Sequence, residues 1–149
     1  MITGKDALDI MYQEGRRQAL DLQKRSGSMT GTEIIAEETN VPAFDPTKDY
    51  SSWPVGAPVA DGGQIWTLLQ PYNAAHYSGR PADLRALWGL AHTTDPAKAK
   101  PFVAPYGTSG LYMDGECCTE GGAVFRSKQN NNPYAPSAYP QWWEEIAWQ

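Results

Sequence analysis

The side chains that could carry acid–base chemistry are few in this sequence. The 149 residues include two histidines, His76 in the segment NAAHYSG and His92 in the segment LAHTTDP. Neither has a second metal-binding residue at a ligand spacing, so we predict a structural or solvent-exposed role for each. For His92, a hydrogen bond to Asp95 would shape the joint between two parts of the chain.

The other acid–base and nucleophilic candidates do not form a catalytic set. No serine stands in a GxSxG elbow, and neither a GxGxxG fingerprint nor a P-loop is present. Acid pairs occur, but carboxylates this frequent become neighbours by chance, so we predict solvated surface groups. The sequence therefore predicts no catalytic residue, no metal ion and no cofactor. The acid pairs are Asp114/Glu116 and Glu144-Glu145.

The two cysteines, Cys117 and Cys118, are adjacent in the sequence. A disulfide between chain neighbours is strained, and two cysteines without CxxC spacing make a poor zinc site. Because side chains alternate along a strand, the pair would point to opposite faces. We predict two free thiols.

Residues suited to binding, rather than to catalysis, concentrate in the segment QNNNPYAPSAYPQWW at 129–143. Sugars are held by aromatic faces together with amide and carboxylate hydrogen bonds, and this segment offers both. If Trp143 is a core residue, strand alternation places Trp142 on the other face. There Trp142 either stacks on a sugar or packs against another subunit. The predicted ligand-binding residues of this segment are Asn131, Tyr134, Tyr139 and Trp142, with Asn130 as a further candidate.

An earlier loop, PYNAAHYSGR at 71–80, has a similar mixture of side chains and the same ambiguity. We predict Tyr72, His76 and Tyr77 as ligand-binding residues of this loop, with Arg80 as a further candidate.

The two loops belong to an internal repeat. At an offset of 59, Gly62-Gly63 matches Gly121-Gly122, and after a loop shortened by four residues Trp88 matches Trp143. Each glycine pair follows an acid and lies between strand-like runs, which predicts a β-hairpin turn. Modules this small bury little apolar surface, so large aromatic side chains must supply the cores. The predicted core residues are Trp53, Trp66 and Trp88, with Tyr112, Phe125 and Trp143 as their counterparts.

The chain before the repeat has a different residue pattern, which is typical of helices. Residues 5–24 show apolar residues on one helical face, which predicts a helix that either binds a partner or docks on its own domain. Residues 25–32 are typical of a flexible joint, and Thr30 with Glu33 predicts a capping box before a short helix. The predicted organisation is a helical segment at 1–41, a first β module at 42–93 and a second β module at 101–149.

Composition and charge exclude several classes of partner. The formal net charge is −5 and the basic residues are scattered, whereas phosphate binding needs clustered Lys and Arg. No apolar run approaches a membrane span, and the first residues lack the apolar core of a signal peptide. We therefore expect a protein made in the cytoplasm, with neither nucleic acid nor membrane as a partner.

The repeated pattern resembles a known kind of module. Each copy has an aromatic residue three positions before a glycine, a glycine turn, an aromatic strand residue, a proline-containing loop and a final Trp. Over Trp53–Trp88 and Tyr112–Trp143 this resembles the small chitin-binding modules of carbohydrate-binding families 5 and 12. The resemblance implies a mainly β fold, with two tandem three-stranded modules after the N-terminal helical segment.

The arrangement of the whole chain, especially residues 79–117, is similar to small accessory proteins encoded beside tail genes in phages and prophages of gut Gram-positive bacteria. That similarity implies a non-catalytic structural protein of the virion tail or baseplate, a homotrimer by analogy, with other tail proteins as partners. Its modules would help attach the particle to host-surface glycan. The alternative is a dedicated glycan-binding module of a cell-wall-acting system.

One departure from the chitin-binding pattern concerns the sugar platform. In that family, tryptophans shortly after the strand-closing aromatic residue face the sugar. Gln70-Pro71 and Gln129-Asn130 occupy those places here. The resemblance therefore implies the fold more strongly than it implies chitin binding.

Overall fold

The computed structural model describes residues 16–147. Over this range the protein is mainly β, with helical segments at its N-terminal side and two sheets, one of three strands and one of four. The predicted fold class is thus confirmed at this level. Among the described residues no helix is both long and apolar enough to cross a membrane.

The helical segment packs against the β part of the chain. Helix α1 covers residues 16–25 of the described range, and its Leu22 is fully buried, whereas residues 5–15 of the predicted helix lie outside the described range. Helix α2 (Gly31–Ala36) begins with the predicted capping box, in which Thr30 and Glu33 bond each other's backbone amides. Its Ile34 and Ile35 are buried against the first sheet.

The predicted flexible joint at 25–32 is wrong. Residues Ser26–Ser28 form a 3-10 turn, and Ser26 is buried. The turn lies against the first β module, because a Cβ on Gly56 would come within 2.9 Å of the Gly27 Cα. The polar, glycine-rich composition permits close packing of backbone on backbone, which composition alone does not distinguish from flexibility.

The first sheet has the order β1 (Pro58–Asp61), β2 (Gln64–Leu68) and β3 (Trp88–Leu90), all antiparallel. Asp61 pairs with Gln64, so Gly62 and Gly63 form a two-residue turn with φ of 60° and 77°. Two consecutive positive φ values define the hairpin turn whose twist matches the strands. The predicted turn is therefore confirmed.

The second sheet has one strand more than predicted. Its order is β4 (Lys100–Pro101), β5 (Cys117–Glu120), β6 (Ala123–Ser127) and β7 (Trp143–Ile146). Strand β4 is parallel to β5, and the remaining pairs are antiparallel. In the first copy the corresponding contact is a single parallel bridge between Ala43 and Ala60. The Gly121-Gly122 turn repeats the geometry of the first hairpin.

The same backbone hydrogen bonds recur in the two copies. The Gly56 amide donates to Leu68 O, and the Gly115 amide donates to Ser127 O at matching positions. The match continues beyond the long loop, with the shortened offset that the sequence indicates. The pairs there are the Leu69 amide with Leu87 O and the Lys128 amide with Trp142 O.

The core of each copy contains three aromatic rings in one common arrangement. In the first, Phe44 stacks on Tyr50 with centroids 5.8 Å apart, and Tyr50 meets Trp88 edge-on at 5.4 Å. In the second, the same contacts join Phe102 to Tyr112 at 5.4 Å and Tyr112 to Trp143 at 5.3 Å.

The structural counterpart of Tyr112 is therefore Tyr50, and the predicted match of Tyr112 with Trp53 is wrong. The Tyr50 hydroxyl accepts from the Asp45 amide, just as the Tyr112 hydroxyl accepts from the Val103 amide. A comparison of the two copies at a fixed offset does not align these tyrosines. The reason is that the segment between the core phenylalanine and the tyrosine is longer in the second copy.

The predicted core is largely confirmed. Trp66, Trp88, Tyr112 and Trp143 are buried, whereas Trp53 and Phe125 are half-buried and pack against the two cores from outside. Aromatic core residues that the sequence analysis missed are Phe44, Tyr50 and Tyr72.

Direct hydrogen bonds join the two sheets. The Cys117 amide donates to Thr93 O at 2.8 Å, and the Gln64 side-chain amide donates to Pro101 O at 2.8 Å. The segment between β3 and β4 therefore already pairs with the second sheet, although it precedes that sheet's first strand in the sequence.

Arg85 makes a further link between the modules. Its guanidinium lies 5.3 Å from the centre of the Trp66 ring, and Nη1 donates to Ala104 O at 3.0 Å. A side chain at Gly110 would collide with the guanidinium, because a Cβ there would lie 2.7 Å from Nη2. Burial lowers the pKa of Arg85.

Candidate functional site

Three of the predicted ligand-binding residues meet on the surface of the second module. Tyr134 and Tyr139 lie nearly parallel with ring centroids 5.0 Å apart, and Trp142 stands across them at 5.4 and 5.5 Å. Tyr134 is 43 % exposed, Tyr139 is 37 % exposed and Trp142 is half-buried. We name these three residues the aromatic patch.

The local structure that places Trp142 at the surface differs from the one predicted. Trp142 is the last residue of a 3-10 turn (Pro140–Trp142), and strand β7 begins at Trp143. Its position therefore does not follow from strand alternation. One side of Trp142 packs on the second core, while its edge contacts with Tyr134 and Tyr139 belong to the patch.

Buried groups hold the Tyr134 backbone in place. The Asn132 side-chain oxygen accepts the Tyr134 amide at 3.0 Å, and the Trp143 indole donates to Tyr134 O at 3.0 Å. Asn132 is fully buried, and its amide nitrogen donates to Ser127 Oγ. The sequence analysis did not select Asn132, although its position next to a proline after two further asparagines is typical of a turn that a side chain stabilises.

Asn131 is exposed and has a φ of 53°, a conformation that asparagine tolerates better than most residues. Its amide donates towards Met113 Sδ at 3.3 Å. Among the described hydrogen bonds none joins Asn131 to the aromatic patch. Its neighbour Asn130 accepts the Asp114 amide through Oδ1 and so supports a neighbouring turn.

The predicted ligand-binding residues of the first copy are not brought together in the same way. Tyr72 is 6 % exposed and lies in the first core, where its hydroxyl accepts the Trp88 indole N–H at 2.7 Å. Burial raises the pKa of Tyr72. Its role as a surface ligand residue is therefore excluded by packing. His76 and Tyr77 are exposed, and the Tyr77 ring contacts the edge of Tyr72 at 5.2 Å.

The first copy has aliphatic residues where the second has patch residues. The bond from the Leu87 amide to Leu84 O recurs as the bond from the Trp142 amide to Tyr139 O. Leu84 and Leu87 are half-buried and pack on the first core. The two copies have the same backbone arrangement here. Within residues 16–147 the three-ring aromatic patch lies on the second copy, and the first copy has leucines at two of its positions.

Each hairpin acid ties down the long loop of its own copy. In the first, Arg80 donates to both oxygens of Asp61, with a shortest distance of 2.7 Å. In the second, Glu120 Oε1 accepts the Ser137 amide at 2.9 Å. Asp61 and Glu120 therefore each fasten the long loop of their own copy to the hairpin.

The positions compared above with the sugar platform of chitin-binding modules hold residues that bond their own chain. Gln70 is exposed and donates from its side chain to Ala86 O. Gln129 accepts from Ser127 through its backbone oxygen. Neither residue offers a flat aromatic face.

His92 lies at the junction between the sheets and is buried. Its ring stacks on Tyr112 with centroids 3.7 Å apart, and Nδ1 lies 3.4 Å from Glu116 Oε1, so the expected partner Asp95 is wrong. Its Nε2 is buried without a hydrogen-bond partner. The ring is thus held at the junction by its stacking on Tyr112, with Nδ1 towards Glu116.

The two cysteines are free, as predicted, and both are buried. Burial raises the pKa of Cys117, and burial followed by the Glu120 carboxylate raises the pKa of Cys118 to about 12. Both therefore stay as thiols at neutral pH. Within residues 16–147 no group of three or more His, Cys, Asp or Glu side chains is placed to hold a metal ion.

The aromatic patch is an open surface. Five cavities among the described residues have no patch residue in their lining. One is a groove of about 280 Å³ between α1 and the first module, lined by Leu20, Tyr50 and Trp53 among others. An exposed site suits a ligand that lies along the surface better than one that must be enclosed.

Comparison with known proteins does not assign this site. No protein-family model matches the chain, and no curated protein matches it closely enough to count as a relative. What the site does must therefore be inferred from its own geometry.

Proposed function

We propose that the protein is a non-catalytic accessory protein of a phage or prophage tail that binds a host-surface glycan through the aromatic patch. The observation that carries the binding part of this proposal is the convergence of Tyr134, Tyr139 and Trp142 on one exposed surface. The tail setting rests on the sequence resemblance alone.

The chemistry of the patch favours a sugar as its ligand. Aromatic rings offer apolar faces to the C–H groups of a pyranose, and two tyrosine hydroxyls and the tryptophan N–H can bond its hydroxyl groups. In the described hydrogen bonds these three polar groups have no partner within the chain. The patch is therefore apolar in its body and has free polar groups at its ends.

Binding to a glycan array and to purified Gram-positive cell walls tests this proposal. We expect wild-type binding in the micromolar to millimolar range, and Trp142→Ala should weaken it by about tenfold or more, equivalent to about 1.4 kcal/mol. Tyr106→Ala is the matched control, because it removes an exposed tyrosine that is outside both predicted binding loops and should leave affinity unchanged. The control should unfold at a temperature close to that of the wild type. Trp142→Ala also loses packing on the second core, so it should unfold at a lower temperature but stay folded at the temperature of the binding assay. Absence of binding to every wall preparation and array glycan would exclude the glycan proposal.

A second candidate function for the patch is a subunit interface of a homotrimer, since an exposed cluster of large apolar side chains also marks protein contacts. On this proposal the protein assembles with itself and with other tail proteins. Light scattering should then show a trimer that Trp142→Ala dissociates. A monomer at high concentration would exclude the trimer and leave the glycan proposal standing. Tail and lysis genes beside its gene would support the tail setting of either candidate.

A further inference from the structure

The loop that carries the aromatic patch is fastened at its middle by a carboxylate from another element. Glu120 is the last residue of β5, and its Oε1 accepts the Ser137 amide at 2.9 Å. Ser137 lies between Tyr134 and Tyr139 in the sequence. The single bond therefore joins the hairpin to the centre of the loop.

The two ends of the loop are fixed separately. At the start, Asn132 and Trp143 hold the Tyr134 peptide by its amide and its carbonyl oxygen. At the end, Trp142 leads directly into β7 and packs on the second core. Between these ends the Ala138 and Tyr139 amides donate to Ala135 O, which closes a turn within the loop. Among the described hydrogen bonds, the one from the Ser137 amide to Glu120 ties this turn to the hairpin.

We propose that Glu120 is a positioning residue for the aromatic patch, holding the loop so that the three rings stand in their binding arrangement before a ligand arrives. The role for binding rests on the proposed glycan function. The physical reason is that a ligand that must first order a loop loses affinity to the entropy of ordering, whereas an ordered loop avoids that loss. Glu120 itself need not touch the ligand.

The first copy provides a control within the same chain. Asp61 occupies the matching hairpin position and ties its own loop through Arg80, but that loop carries no aromatic patch. Removing Asp61 should disturb a loop of the same design without disturbing the three rings.

Hydrogen exchange of the Ser137 amide tests the positioning role without any ligand. In Glu120→Ala the exchange of this amide should accelerate by about tenfold or more, because its acceptor is gone. Glu120→Gln keeps a side-chain oxygen at the same place and should restore protection to within about threefold. Asp61→Ala should leave the Ser137 amide unchanged. Equal exchange in wild type and Glu120→Ala would overturn the inference.

A binding measurement tests the consequence for the site, with an N-acetylglucosamine hexasaccharide and purified Gram-positive cell walls as the probes. Glu120→Ala should weaken binding by about threefold to tenfold, Glu120→Gln should recover it, and Asp61→Ala should match the wild type. If the wild type binds neither these probes nor any array glycan, the glycan proposal fails while the exchange experiment still decides the order of the loop. If the wild type binds and Glu120→Ala binds equally well, the positioning role is wrong although the glycan proposal survives.

Discussion

At the scale of single residues, burial decides the chemistry of the ionisable side chains in the second module. Cys118 is fully buried, and Tyr112 is nearly so. Burial disfavours the charged form of each, so the pKa of Tyr112 is raised and the pKa of Cys118 is raised to about 12 from an ordinary value of 9.0. Their neutral forms are what the folded core accommodates.

These raised pKa values predict a loss of stability at alkaline pH. Below about pH 9 the folded and unfolded states bind the same protons at Cys118. Above it the unfolded thiol ionises while the folded one does not, so the free energy of unfolding falls by up to about 1.4 kcal/mol per pH unit for this group, until the pH passes the folded pKa. Chemical denaturation at pH 7 to 11 should show this decline.

Cys118→Ala provides the control for the alkaline experiment. This variant should be less stable at pH 7 because it leaves a small cavity, but its stability should decline less steeply above pH 9. An equal slope in the variant and the wild type would contradict the assignment to Cys118. The slope that remains belongs to other groups with raised pKa values, namely Tyr50, Tyr72, Tyr112 and Cys117.

At the scale of elements, glycines serve two different purposes. Gly62 has a positive φ in the hairpin turn and open space around the position of its missing side chain. Gly31, the first residue of α2, is instead needed for close approach. A Cβ there would fall on the carbonyl oxygen of His92 and 2.9 Å from its amide nitrogen.

This difference predicts unequal costs for the same substitution. Gly62→Ala should cost about 1 kcal/mol, because it places alanine in the left-handed region without any clash. Gly31→Ala should cost clearly more, because backbone cannot yield without moving α2 off the first sheet. Urea denaturation of the two variants measures both values. A smaller loss in Gly31→Ala than in Gly62→Ala would show that α2 docks less tightly than its contacts indicate.

At the scale of the whole molecule, the two modules are bound into one unit by contacts at their junction. His92 from the first copy stacks on Tyr112 in the second core. The Cys117 amide bonds Thr93, and Arg85 reaches Ala104. These contacts join the second core and sheet to residues that precede them in the chain.

The junction predicts that the second module does not fold alone. A fragment of residues 100–149 loses the His92 ring and the acceptor of the Cys117 amide, and a chain of this size buries little apolar surface. We expect poor dispersion in its amide proton spectrum. The full chain should unfold in a single transition, with fluorescence and circular dichroism giving the same midpoint. A well-dispersed fragment spectrum would contradict this expectation and support independent modules.

Much of the local structure could be predicted because its causes lie close together in the sequence. The capping box needs only Thr30 and Glu33, and the hairpin turn needs only the glycine pair between two strand-like runs. Residues three or four apart in the chain fix these features by direct hydrogen bonds and allowed backbone angles. The register of the repeat followed in the same way from the glycines and the final tryptophans.

The site was only partly accessible to such reasoning. The composition of the loop selected Tyr134 and Tyr139, and strand alternation next to Trp143 selected Trp142. The structure brings the three rings together, although Trp142 lies in a 3-10 turn and not in a strand. Loop composition also selected Tyr72, which is buried in the first core. Two loops of similar composition differ in this way because burial depends on which distant segment covers a residue.

By itself, then, the sequence determined the mainly β class, the two glycine turns and the aromatic character of both cores, since short-range geometry and side-chain size decide them. Only the tertiary structure decided that Tyr50 corresponds to Tyr112, that His92 faces Glu116 and that one loop exposes its rings while the other buries one. These features arise where segments far apart in the chain meet. There the free energy of covering a particular ring depends on the shape of the surface that covers it.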